Sequence, residues 1–245
     1  MLAAVAIVAL AGLLVWAASE LTPFGTPAGH ADAVTRTLEH ERQVANTVNG
    51  VTYDLRALDT LGEELILFVA ALGAAVLLRG QRSERRADQA AEAEERRGEG
   101  GSNTADALRA LGAVLVGPVL LLGIYVVVHG ALTPGGGFQG GVILAGALLL
   151  VYAAGQVVAV QRVRPVSAVE VADAVGAAAY ALIAVAGLVF GVAAMDNILG
   201  SGTEGSLLSG GTVPVLSVAV GVEVTAAITL ILTELVDQML LGGRR

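Results

Sequence analysis

Six apolar stretches, each long enough to cross a hydrocarbon layer as a helix, dominate this 245-residue chain and leave it few possible folds. They cover residues 2–19, 61–78, 111–128, 139–160, 171–195 and 213–240, and about 20 residues of α-helix span the roughly 30 Å of a bilayer core. In lipid only helices and closed barrels satisfy their own backbone, and these runs lack the alternation of barrel strands. The expected fold is therefore all-α: a polytopic membrane protein with six transmembrane helices. Composition points the same way, with 55% hydrophobic and 15% charged residues and a mean hydropathy of +0.75, too apolar for a soluble domain of this length.

The basic residues orient the six spans. Arg79, Arg82, Arg85, Arg86, Arg96, Arg97 and Arg109 follow the second stretch, Arg162 and Arg164 follow the fourth, and Arg244 and Arg245 end the chain. Only Arg36, Arg42 and Arg56 fall on the other side. Arginine is retained on the cytoplasmic side, so both termini are expected inside. The first stretch ends in Ala17-Ala18-Ser19 like a signal peptide, but no basic residue precedes it and it exceeds a usual apolar core; it is expected to stay as an anchor.

All fourteen basic residues are arginine, and the chain has neither lysine nor cysteine. Thiolate-held iron–sulfur clusters, thiolate haem and disulfides are thereby excluded, as are a P-loop lysine and a Schiff base. No histidine lies mid-helix, which argues against bis-histidine haem, and the expectation is a chain with no cofactor. His30 and His40 lie in the outer segment 20–60 without close ligand spacing, so no metal site is expected there. The net charge of -8 is spread over loops and gives no reason to expect a nucleic-acid partner.

A charged stretch, 80–104, separates a two-helix region (1–79, with the outer loop 20–60) from a four-helix region (105–245). Within it Glu92 precedes Arg96 by four residues, a helix-supporting pair, and 98–103 is rich in glycine. It reads as a solvated cytoplasmic connector and looks like a fusion seam. No internal repeat of the kind found in stand-alone transporters is evident.

Acidic residues are the candidates for chemistry. The second helix opens Asp59-Thr60-Leu61-Gly62-Glu63-Glu64. Thr60 and Glu63 match a capping box, and acids suit the positive end of a helix; equally, Glu63 or Glu64 with Asp59 and Arg56 could form an outer mouth for protons or sodium ions. Glu223 lies ten residues inside the sixth stretch, where an ionised carboxylate costs about 2.5–3.5 kcal/mol and must be protonated, paired or hydrated. Glu234 follows eleven residues on, about 16 Å along the axis and on nearly the same face. Glu170 and Asp173 are expected to cap the fifth helix. Gly141 with Ala145, and Gly187 with Gly191, have the small-residue spacing of close helix packing.

The most specific segment is Leu132 to Gly141, Leu-Thr-Pro-Gly-Gly-Gly-Phe-Gln-Gly-Gly. Pro134 ends the third helix, and Gly135, Gly136 and Gly137 let the chain reverse before the fourth helix begins near Phe138. Gly140 and Gly141 follow in its first turn. A phosphate cradle is disfavoured, since no Gly-Lys-Ser/Thr follows and no strand precedes. A tight outer turn presenting Phe138 to a partner or the lipid interface is the expectation.

That segment, with the apolar run through Tyr152, resembles the signature of the MnhB-type subunit of Mrp-type multisubunit sodium/proton antiporters, and 105–245 matches that subunit in size. Separately, Asn46 to Glu63 resembles a segment near the C-terminus of the large A-type subunit of those antiporters, or the small E-type subunit of membrane-bound hydrogenases. Arg56-Ala57-Leu58-Asp59 stands where the related segments often have Arg-Gly-Phe-Asp. The resemblance implies a non-enzymatic accessory subunit in a bacterial plasma membrane, partnered by large antiporter-like and small membrane subunits and handling Na+ and H+. It implies that Asp59 and Glu63 line an ion route and that Pro134, Phe138 and the glycines shape an essential turn; Glu64, Glu223 and Glu234 are further ion-path candidates on their own placement in the apolar runs, and no family motif covers Glu223. A purely structural subunit, or one of an energy-converting hydrogenase, are the alternatives.

Overall fold

A computed structural model describes residues 2–21, 29–95, 106–153, 166–191 and 193–242. All regular structure among them is helical. We number the helices α1 (Leu2–Ser19), α2 (Gly29–Arg36), α3 (Thr47–Gly50), α4 (Ala57–Glu95), α5 (Asp106–Val128), α6 (Gly137–Ala153), α7 (Val166–Phe190) and α8 (Val213–Gly242). Two π-helical turns, Thr37–Glu41 and Val51–Leu55, flank α3. The chain forms two compact units, Met1–Arg36 and Thr37–Arg245. The first holds α1 and α2; the second holds everything that follows.

Among the described residues, four helices contain segments long and apolar enough to cross a membrane: Ala57–Leu78, Ala110–Val128, Ala168–Phe190 and Val213–Leu235. Gly137–Val151 and Ile7–Ser19 are shorter apolar helices. The chain is a membrane protein.

In the second unit α8 is the central post, touching α4, α5, α6 and α7. Its buried residues Val213, Leu216, Val220, Val224, Ala227 and Leu230 recur every three or four positions, the period that keeps one face inward. Backbones come close where side chains vanish: a Cβ on Gly141 of α6 would sit 2.7 Å from Val224 and 3.1 Å from the Gly221 carbonyl, the small-residue packing expected at that position.

Two expectations about helix ends, at Thr60 and in the fifth apolar stretch, and one about helix packing, at Gly187 and Gly191, are corrected. Helix α4 starts at Ala57, ahead of Thr60, and the Thr60 hydroxyl donates to the Thr52 carbonyl at 2.7 Å; Thr60 ties α4 to the preceding turn and is no N-cap. The helix then runs past the apolar span to Glu95, because Ala, Glu, Gln and Arg are strong helix formers and outweigh the single glycine, Gly80. Arg96 and 98–103 lie outside the described residues. Helix α7 begins at Val166 and stops at Phe190, short of Met195, which is buried with φ +63°. Gly187 serves this ending: its missing side chain makes room for Ala193, Met195 and Asp196 as the chain folds back, so Gly187 and Gly191 accommodate a return loop and form no helix-packing pair.

Candidate functional site

Three acidic side chains from three different helices meet inside the second unit. Glu64 of α4 and Glu223 of α8 are each 0% exposed, and Asp173 of α7 is 3% exposed. The Glu64 and Glu223 carboxyls are direct neighbours, and Asp173 lies within electrostatic reach of both. Among the described residues, no donor from the rest of the chain reaches either glutamate or Asp173 Oδ1. Helix α7 can approach this closely because Gly176 lacks a Cβ, which would stand 2.6 Å from Glu223 Cβ and 2.8 Å from its backbone nitrogen.

This arrangement has a chemical consequence. Two carboxylates about 4 Å apart in a medium of effective dielectric about 20 repel by about 4 kcal/mol, before any desolvation. With no arginine, amide or hydroxyl among the described residues to offset that cost, the pair is held at lowest cost when at least one of the carboxyls keeps its proton. Such a cluster suits the exchange of small positive charges.

The placement separates the candidates. Adjacent on α4, Glu64 points inward while Glu63 is exposed on the outer face of the bundle. Asp59 is also exposed, with Arg56 Nε donating to it at 2.7 Å. Glu234 is fully buried, further along α8 than Glu223. Asp173 is corrected from helix cap to cluster member, since α7 starts seven residues earlier. Nothing local marked it, since it is the third residue of the apolar run that begins at 171.

Above the cluster stands a layer of hydroxyls. Tyr180, 0% exposed, donates to the Ala57 carbonyl at 2.9 Å, its ring tilts against that of Tyr53 with centroids 6.4 Å apart, and the Thr60 hydroxyl lies beside its phenol. The Tyr53 oxygen faces the backbone N–H groups of Gly137 and Phe138 in the first turn of α6, so a phenol occupies that helix terminus. Burial first, then the charge of Glu64, pushes the Tyr53 phenol above its ordinary value. Nearer the loops, Arg42 Nε pairs with Asp54 Oδ2 at 3.2 Å; burial raises the Asp54 carboxyl, and Arg42 opposes that.

The glycine turn is explained by what fills it. Asn46 Nδ2 donates to the carbonyls of Gly130 at 2.7 Å and Thr133 at 2.8 Å, and its backbone N–H donates to Ala131 O at 3.0 Å. Asn49 presses on Gly130 and Gly136, where an added Cβ would meet its amide at 2.6 Å. Gly135 and Gly136 have φ +139° and +138°, Pro134 is exposed, and Gly140 packs on Val127. Phe138 is half-buried against the core shared by Tyr53, Tyr180 and Val220. The expected outward display of Phe138 is corrected: the turn receives the chain's own 46–50 segment, and the ring turns inward because an apolar surface is already there. Asn46→Ala should strip these carbonyls of their donor and destabilise the folded chain by about 2–4 kcal/mol, visible as a lowered unfolding temperature in detergent.

Comparison with known proteins places this architecture. The solved membrane-bound sulfane sulfur reductase, an archaeal respiratory membrane complex, contains a chain of TM-score 0.71 and 27% identity, covering 96% of this chain and 98% of that one. A chain of the Mrp complex from Dietzia sp. DQ12-45-1b superposes with TM-score 0.71 at 24% identity over 96% of this chain and 25% of its own length; this likeness is one of fold. An uncharacterized protein of Methanocaldococcus jannaschii is 29% identical over 201 residues, 76% of this chain and 75% of that one. Residues 107–230, half of the chain, match the family described as a domain related to the MnhB subunit of Na+/H+ antiporter, and the chain belongs to that family.

Proposed function

We propose that this chain is an accessory membrane subunit of a multisubunit monovalent cation/proton antiporter, and that Glu64, Glu223 and Asp173 form a station on its ion route. The observation that carries this is the meeting of three buried acids with no donor from the rest of the chain among the described residues. A scaffold needs no such cluster, since apolar residues of equal size would pack there at lower cost. The family supports the antiporter reading. On this reading the chain is a transporter component and no enzyme. It crosses a bacterial plasma membrane six times, with α1 and α6 completing the four longer spans and both termini on the arginine-rich cytoplasmic side. Large antiporter-like subunits and small membrane subunits surround it.

Glu63 and Asp59 keep a role at the periphery. An exposed carboxylate inside an apolar span has to be covered by another polypeptide or by water, which on this reading puts Glu63 against a neighbouring subunit. The division into 1–79 and 105–245 is then a fusion of two subunit pieces.

The test is Na+/H+ exchange in vesicles containing the assembled complex. Glu223→Gln, which keeps shape and removes the charge change, should lower exchange by at least about tenfold with the complex intact; full activity would leave only a scaffolding role. A second reading, membership of a complex I-related respiratory assembly, draws on the sulfane sulfur reductase chain matched along nearly its whole length. Genes for metal-binding redox subunits beside this one would favour it.

A further inference from the structure

The buried acids are separated from the outer loops by a stratum whose buried polar groups are hydroxyls, while the charged residues at that level, Asp59 and Glu63, lie exposed at its edge, with Glu63 within electrostatic reach of Tyr180. Tyr53, Tyr180 and Thr60 are 2%, 0% and 3% exposed. The surrounding groups are apolar: Ala57, Ala184 and Leu216 belong to the same core, with Leu61 and Ile183 packed against it. Glu64 is within electrostatic reach of both phenols from below, and the Thr60 hydroxyl adjoins Tyr180 while anchored to Thr52. A cation would have to shed its water and force the packed rings aside to cross here. A proton need only pass from oxygen to oxygen.

Resting on the ion-route reading above, we propose that Tyr180 and Thr60, with Tyr53 packed beside them, form a proton-selective outer stop: protons reach Glu64 through their hydroxyls, and Na+ does not pass this way. The step balances with no reactant beyond the incoming proton. Tyr180 turns its O–H from the Ala57 carbonyl toward Glu64 and Thr60 turns its O–H from the Thr52 carbonyl toward Tyr180; the phenolic hydrogen moves to a Glu64 carboxylate oxygen, the Thr60 hydroxyl hydrogen moves to the Tyr180 oxygen, and a hydronium ion on the outer side gives its proton to the Thr60 oxygen. One O–H bond breaks and one forms at each of Tyr180 and Thr60, one breaks in the hydronium ion, and one forms at Glu64. Sodium must then enter the assembly by another route, at the exposed face of α4 or through a neighbouring polypeptide.

The experiment uses the whole assembled complex in vesicles and follows two quantities, Na+-driven proton movement and counterflow of radioactive Na+ with equal Na+ on both sides. Tyr180→Phe keeps the ring and removes the hydroxyl. It should lower proton movement by about tenfold or more and leave Na+ counterflow unchanged. Thr60→Ser should retain proton movement, whereas the isosteric Thr60→Val should lose it; this pair decides the matter if the Tyr180 variant fails to assemble. Unchanged proton movement in Tyr180→Phe and Thr60→Val would overturn the relay, as would an equal fall of both fluxes, the mark of a packing role. Glu223→Gln serves as the separate control: if it alone abolishes exchange, the ion-route reading stands while the relay falls, and if it exchanges normally, the reading beneath the relay fails.

Discussion

Gly136→Val should prevent the chain from reaching its folded state in the membrane. Gly136 sits at φ +138°, where a β-branched residue is strongly disfavoured. The new side chain would also be driven into the Asn49 amide, 2.6 Å from the position of the Cβ itself. That amide cannot move aside cheaply, because Asn46, three residues before it, is tied to the carbonyls of Gly130, Ala131 and Thr133. Backbone strain of about 1–2 kcal/mol, overpacking of about 1–3 kcal/mol and loss of Asn46 bonds add at one place. This is a large share of the roughly 5–15 kcal/mol that typically separates folded from unfolded chains. The check is the amount of chain recovered in the assembled complex, expected to be near zero, against a Gly62→Ala control. No atom lies within 4 Å of where that Cβ would be, so the control should assemble normally. Normal assembly of Gly136→Val would mean that the turn and the 46–50 segment do not hold each other as described.

The second large effect concerns the carboxylate pair. Glu64→Gln and Glu223→Gln should each reduce exchange by about tenfold or more, and the double variant should be no worse than the single ones. Groups that act as a unit are non-additive on removal: once one carboxylate is gone, there is no shared site left for the other to lose. Independent roles would instead multiply the two losses. Stability should move in the opposite sense, because replacing an acid by an amide gives its neighbour a hydrogen-bond donor where none from the rest of the chain reaches it now. A double variant with markedly lower exchange than either single one would show that the two residues serve separate steps.

Much of this is legible in the residues. The apolar runs name the long helices, and the glycines between Leu132 and Gly141 mark a place where main chain must approach something closely. What it approaches is not legible, because Asn46 lies 84 residues from Gly130 and an asparagine in a loop has no distinguishing pattern. Glu223 stands out by its depth in an apolar run. Glu63 and Glu64 are inseparable by pattern, since on a helix adjacent residues differ by about 100° of rotation and only the direction of the neighbouring helices decides which one is buried. Asp173 reads as a cap only while the helix is started at 171; the earlier start of α7 at Val166 carries it into the bundle. Tyr53 and Tyr180 give no signal at all, and Thr60 reads only as a cap.

Sequence alone therefore determined what the solvent demands: helices of membrane length, their order, the arginine asymmetry and a glycine turn between two of them, all of which follow from local composition and the cost of leaving backbone or charge in lipid. Tertiary structure decided which acids meet. Glu64, Asp173 and Glu223 are far apart in the chain and share no local pattern, and they become one site only because the absence of a side chain at Gly176 lets α7 close on α8 beside α4.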